Sequence, residues 1–196
     1  MTTGLVFGVI AALIIVYAVG VYNGLVTLRN HFRNAFAQID VQLQRRYELI
    51  PNLVEAARAY LAHEKDTLSQ VIAARNQAAS LEKSLAADAD NPDALALFAR
   101  AEGTLNGALG RLLAVAENYP DLKADQTIAG LMEDLESTEN RVSFARQAFN
   151  DAVMAYNIAR EKFPDALIAT LGGFRPAAQL DIPNVEAREP LRIHMT

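Results

Sequence analysis

LVFGVIAALIIVYAVGVYNGLVTL (residues 5–28) holds no charged side chain, and RNHFRNAFAQIDVQLQRRYELIPN (residues 29–52) follows it with no Gly or Pro before Pro51. How these two stretches join decides the fold. At 1.5 Å rise per residue, the charge-free run exceeds the ~20 residues needed to cross roughly 30 Å of hydrocarbon. A cleaved signal peptide would place Lys or Arg before a shorter apolar core, and here nothing basic precedes the run. A core helix of a water-soluble domain would show a polar face, and this run shows none. Residues 1–24 therefore read as a transmembrane anchor. Arg29 and Arg33 follow it, so the positive-inside rule places the N-terminus outside and the following domain in the cytoplasm.

Past the anchor the period changes. Leu25, Leu28, Phe32, Ala35, Ile39, Leu43 and Tyr47 recur at spacings of three and four with Arg, Asn and Gln between them, the apolar seam of an amphipathic helix. The membrane helix is expected to run straight into this seam. Pro51 is the first breaker. Carried past it as one rod, the seams before and after would span on the order of 90 Å, more than the later helices could cover. A reversal at Leu49–Asn52 is therefore expected, with Pro51 in the first turn of a new helix.

The second seam (Leu53 or Val54, Ala57, Tyr60 or Leu61, Leu68, Val71, Ile72, Ala78, Leu85) runs to the polar Asp88–Asp93 stretch. A third helix carries Phe98, Ala101, Leu105, Ala108, Leu112 and Val115 and stops at Tyr119-Pro120. A fourth starts near Asp125 and ends before Pro164. Four amphipathic helices with short polar connections predict an all-α chain: an antiparallel up-down-up-down bundle of coiled-coil character over residues 25–163. In residues 164–196, Gly172-Gly173, Pro176, Pro183 and Pro190 exclude a long helix. The apolar Ile168, Leu171, Phe174, Leu180, Ile182 and Val185 predict a tail packed along the bundle with a loose end.

Composition narrows the chemistry. About 165 residues beyond the anchor suffice for one domain with its own core. The formal net charge is −5, pI is near 5.2, and no Lys/Arg block occurs, which argues against nucleic acid as a partner. Cysteine is absent, removing thiolate catalysis, disulfides and Cys-based metal sites.

The order of motifs resembles the LemA family. The matching residues are Tyr22-Asn23-Gly24-Leu25-Val26, Arg29-Asn30, Ala37 to Leu43, Arg45-Arg46-Tyr47-Glu48-Leu49-Ile50-Pro51-Asn52-Leu53-Val54, His63-Glu64, Leu109 to Val115, Tyr119 to Ala124, and Thr138-Glu139-Asn140-Arg141. They extend over nearly the whole domain. The resemblance implies an N-terminally anchored protein of the bacterial inner membrane with a four-helix bundle, and a role in organising membranes or membrane proteins. It implies little chemistry. The chain departs from the family at its C-terminus, where Gly173-Phe174 leads to Arg175-Pro176-Ala177-Ala178 in place of an aromatic-rich tail.

No catalytic or cofactor constellation emerges, so no enzyme activity, metal or cofactor is expected. The serines lack a Gly-x-Ser-x-Gly elbow. His63-Glu64-Lys65-Asp66 lacks the second His of a zinc helix. Asp88-Ala89-Asp90-Asn91-Pro92-Asp93 would need Gly and Glu at the sixth and twelfth positions of a calcium loop and has Asp93 and Ala99; it reads as a turn and a helix cap. Gly103, Gly107 and Gly110 each weaken a helix interior, and close approach of a neighbour is the simplest reason.

The remaining candidates are polar. Arg75 falls in the second seam, while Glu139, Arg146, Asn150 and Asn157 share a flank of the fourth helix. They are expected to form a buried network linking helices two and four, with loss of Arg75 stranding a buried acid. Arg45, Arg46, Asn52 and Glu55 cluster around Pro51 as a candidate docking surface. Two functions survive: a membrane-anchored scaffold or adaptor for a protein partner or a second copy, and a binding or catalytic module built on the core stripe.

Overall fold

A computed structural model of the chain describes residues 2–87 and 91–182, and every regular element among them is helical. The elements are α1 (Thr2–Ala57), α2 (Lys65–Ala87), α3 (Pro92–Ala116), the one-turn α4 (Pro120–Ala124), α5 (Gln126–Glu161) and α6 (Asp165–Leu171). The apolar run and the first amphipathic seam are one helix of 56 residues, roughly 84 Å long. Its N-terminal part is long and apolar enough to cross a membrane, and none of the residues in that window is fully buried by the rest of the chain.

The expected reversal at Leu49–Asn52 does not occur. Helix α1 passes through Pro51 and turns back at residues 58–64. Proline inside a helix removes one N–H and crowds the carbonyl four residues before it, at about 3 kcal/mol. Here that carbonyl is Tyr47 O, and Arg75 Nε of α2 donates to it at 2.9 Å. A guanidinium from another helix thus replaces the N–H that Pro51 lacks. No rod runs through both seams, as the length of the later helices requires, but that limit does not force the break at Pro51. From Leu25 to Ala57, α1 needs cover over about 50 Å, and the 36 residues of α5 supply about 54 Å.

The packing is a sustained three-four repeat. On α1 the buried positions Phe32, Phe36, Ile39, Leu43, Arg46, Ile50, Leu53 and Ala57 alternate spacings of four and three. On α3 the same rule gives Leu95, Phe98, Glu102, Leu105, Leu109, Leu112 and Ala116. Such a repeat presents one continuous stripe to neighbouring helices. Partners on α5 descend in number as those on α1 ascend: Phe32 meets Tyr156 at 5.2 Å between ring centroids, Phe36 meets Phe149 at 5.7 Å, and Arg46 meets Glu139. The close approach expected at the α3 glycines is absent at Gly107 and Gly110, where an added Cβ would meet open space.

The helix starts follow local chemistry. The Asn91 side chain accepts from Asp93 N and Ala94 N, with Pro92 opening α3; Asp88 and Asp90 of the acidic stretch lie outside the described residues. Asp125 caps α5, accepting from Thr127 N at 2.8 Å and Ile128 N at 3.1 Å. The same carboxylate accepts the hydroxyl of Tyr60 at 2.8 Å, fastening the α1–α2 turn to the start of α5.

At the end of α6, Gly173 adopts φ +70, the left-handed value that glycine tolerates best. Phe174 N donates to Ala169 O and Gly173 N to Thr170 O, the two bonds of a Schellman turn. A Cβ on Gly172 would stand 2.8 Å from the Phe174 ring. The turn returns Phe174 to α1, where its ring meets Tyr22 edge-on at 5.3 Å and lies 5.2 Å beneath the Arg29 guanidinium.

The Asp125 cap makes a pH prediction. The Ile128 backbone N–H, then the Tyr60 hydroxyl, hold its carboxyl below the usual carboxylate value. A depressed folded-state pKa contributes stability that is present above about pH 4 and lost as pH falls through the folded value. Asp125→Asn keeps an acceptor without the titration. Urea midpoints measured from neutral pH downward should therefore fall less steeply below about pH 4 in the variant than in the native chain; parallel curves would remove Asp125 from the acid sensitivity.

Candidate functional site

The densest polar site in the described core lies where α1, α2, α3 and α5 meet. Arg46 and Glu102 occupy seam positions on α1 and α3 and are 3% and 0% exposed. Arg46 Nη1 donates to Glu102 Oε2 at 2.9 Å, and the Tyr47 hydroxyl donates to Glu102 Oε1 at 2.5 Å, so both carboxylate oxygens are used. Arg46 Nη2 donates to Asn106 Oδ1 and lies 3.0 Å from Glu139 Oε2, a charge contact lacking hydrogen-bond alignment. Arg46 Nε is buried without an acceptor.

Burial pushes the Glu102 carboxyl above its usual range, against the pull of Arg46 and the Tyr47 hydrogen bond, and nearby Glu139 adds to the rise. Burial and then the Glu102 charge hold the Tyr47 phenol far above its ordinary value. Tyr47 is thus a permanent donor. Its ring also lies 5.9 Å from the Arg75 guanidinium, within cation–π range. The arrangement fixes a proton and two charges between helices, with Glu102 sealed from solvent.

The expected Arg75–Glu139 network is not what forms. Arg75 serves the Tyr47 carbonyl and Asn76 Oδ1, and the partner of Glu139 is Arg46. Arg146 is half-buried on α5 and takes no part in these contacts. Asn150 and Asn157 face the tail. Asn157 Nδ2 donates to Ala177 O at 2.8 Å while Ala177 N donates to Asn157 Oδ1 at 3.0 Å. Asn150 makes the same pair with Leu180, at 3.2 and 2.8 Å. Seven residues of helix and three of extended chain both measure about 10 Å, so the two clamps match in pitch. Tyr156 adds a hydrogen bond to Arg175 O at 2.8 Å.

The four residues around Pro51 also separate. Arg45, Asn52 and Glu55 are exposed, and Glu55 pairs with Arg58 at 3.4 Å, but Arg46 is buried and cannot belong to a docking surface. His63 is exposed, and its neighbour Glu64 accepts from the Tyr119 hydroxyl at 3.4 Å. Among the described residues, no group of three or more His, Cys, Asp or Glu is placed to hold a metal ion.

The family model of the LemA family matches residues 35–194. The chain belongs to the LemA family. Similar curated proteins include "Magnetosome protein MamQ" of Magnetospirillum gryphiswaldense, 28% identical over 172 residues, covering 79% of this chain and 62% of the relative. "Magnetosome protein MamQ 2" of Paramagnetospirillum magneticum is 29% identical over 174 residues, covering 80% of this chain and 63% of the relative. The chain spans somewhat under two thirds of the length of these relatives. The buried Arg46-Tyr47, Pro51 and Glu139 all lie inside the matched region of this LemA chain, as do Arg75 and Glu102.

Two pairs of variants test the junction. Arg46→Met should destabilise the chain by about 3–5 kcal/mol because it strands Glu102 without its cation; Arg46→Met with Glu102→Leu should recover most of that in urea unfolding. Arg75→Ala should cost about 1–3 kcal/mol by orphaning the Tyr47 carbonyl. In a Pro51→Ala background, where residue 51 again offers an N–H, the same change should cost far less. Equal costs in both backgrounds would refute the substitution of a guanidinium for the missing donor.

Proposed function

We propose that this LemA chain is a single-pass, non-enzymatic scaffold or adaptor of the bacterial inner membrane that presents a helical bundle to a protein partner or to a second copy. Its parts are an anchor at residues 1–24, an antiparallel up-down-up-down four-helix bundle at 25–163, with α4 as a single-turn connection, and a tail from residue 164 that lies on the bundle as far as Ile182; Pro183, Val185, Pro190 and the end of the tail lie outside the described residues. The observation that carries this reading is the continuity of α1 from the apolar run into the core. A flexible linker would let a catalytic domain sample substrates in solution; an unbroken helix holds a surface at fixed height and orientation. Arg29 and Arg33, on the bundle side of the apolar run, favour a cytoplasmic bundle. Relatives named for a cellular structure, the magnetosome, fit a part in an assembly.

The polar groups support a structural use of the core. Glu102 is consumed by Arg46 and Tyr47, Asn150 and Asn157 by the tail, and Arg75 by the helix α1 carbonyl. A surface remains for contact: Phe144 and Val41 are 73% and 57% exposed on α5 and α1.

The test is a photo-crosslinking residue in place of Phe144 in the full-length chain, irradiated in cells, with the anchor alone as control. One dominant protein adduct, a partner or a second copy, is expected from the full chain only. If Phe144 and Val41 probes both yield no protein adduct while the purified chain retains a small molecule in stoichiometric amount, the scaffold reading fails.

A further inference from the structure

The segment Phe163–Phe174 is nearly devoid of charge and lies against the anchor. Asp165 is the one charged residue in it, and its carboxylate accepts the hydroxyl of Tyr17, inside the apolar run, at 2.5 Å. An open groove runs between the two, walled by Ala18, Val19 and Tyr22 of α1 and by Ile168, Leu171 and Gly172. Phe163, Leu167 and Leu171 are 85%, 60% and 90% exposed, Leu171 at the rim of that groove. Lys162 and Arg175 bracket the segment.

A short apolar element flanked by cations matches the pattern of a helix lying at the headgroup–acyl boundary, with its cations extended to the headgroups. Depth agrees. If about 20 residues of α1 cross the hydrocarbon starting near Thr2 to Leu5, the span ends near Val21 to Gly24, one to two turns beyond Tyr17. An element tied to Tyr17 and Tyr22 cannot remain in water while those turns are in lipid. We propose that residues 163–174 are a membrane-embedded shoulder of this chain: α6 lies in the leaflet where the anchor ends, Phe163, Leu167 and Leu171 among acyl chains, with a phospholipid acyl chain in the groove beside the anchor. This rests on residues 1–24 being a membrane anchor.

The sequence contains no Trp, so one introduced Trp is a sole reporter in the full-length protein reconstituted into phosphatidylcholine vesicles. Leu171→Trp, with Leu167→Trp as the second variant, should emit at short wavelength and lose roughly half or more of its intensity to acyl-brominated phosphatidylcholine, most strongly when the bromines lie near the headgroup. Val9→Trp reports the anchor itself. Phe144→Trp, level with Val41 and so roughly 36 Å beyond Tyr17 along α1, should be unquenched. Water-exposed, unquenched emission from both α6 variants with a quenched Val9→Trp overturns the shoulder and leaves the anchor. Short-wavelength but unquenched emission overturns it too, in favour of a protein covering α6. An unquenched Val9→Trp overturns anchor and shoulder together.

Discussion

The hydrogen bond from Arg75 to the Tyr47 carbonyl is the constraint on which the rest of the chain depends. It lets a proline stand inside α1, and an unbroken α1 is what carries the apolar run into the core. Pro51 on its own favours a break, since its ring crowds Tyr47 O and offers nothing in return. A guanidinium on a neighbouring helix satisfies that oxygen and stacks on the Tyr47 ring. The local defect therefore becomes a specific attachment between α1 and α2, and the position of α2 is set by a carbonyl that no other residue of α1 exposes in the same way.

Arg46 and Tyr47 extend this attachment to α3 and α5. Their side chains converge on Glu102, and Arg46 also reaches Asn106 and Glu139. Removing two charges from water costs several kcal/mol per ion, and their attraction does little more than offset it. The pair therefore adds little net stability. Its effect is on register: α1 and α3 repeat every seven residues, so apolar stripes alone would tolerate a slip of one heptad, which would set Arg46 against Leu95 or Leu109 and Glu102 against Ile39 or Leu53. The penalty for burying both charges unpaired excludes that slip.

This division explains what was legible in the sequence. The seams of α1, α3 and α5, the Asn91 and Asp125 caps and the Gly172-Gly173 turn are local patterns, each contained within a few residues of chain. Pro51 could not be read locally, because its compensation comes from Arg75 on another helix. Arg46 was readable and misassigned: Tyr47 beside it also fits the three-four spacing, and an apolar-only seam selects the tyrosine. Glu102 interrupts Leu95, Phe98, Leu105, Leu109 and Leu112 at a seam position, so an unbroken heptad count would have flagged it. The roles of Asn150 and Asn157 had no such signal, since nothing in their spacing indicates that residues 177 and 180 pass at matching pitch.

The tail closes the mechanical argument. Two asparagine clamps and the Tyr156 hydrogen bond hold residues 175–180 on α5, the glycine turn returns Phe174 to Tyr22 and Arg29, and Asp165 holds Tyr17. The segment after α5 is thus tied at one end to the core and at the other to the last turns of the apolar run. A continuous α1 fixes the distance between the core and the apolar run. The tail adds a second connection off the α1 axis, and two separated connections oppose bending of the helix where a single one would leave it a lever. Helical core, α6 and apolar run are in this way held as one piece, with α1 setting their spacing and the tail setting their angle.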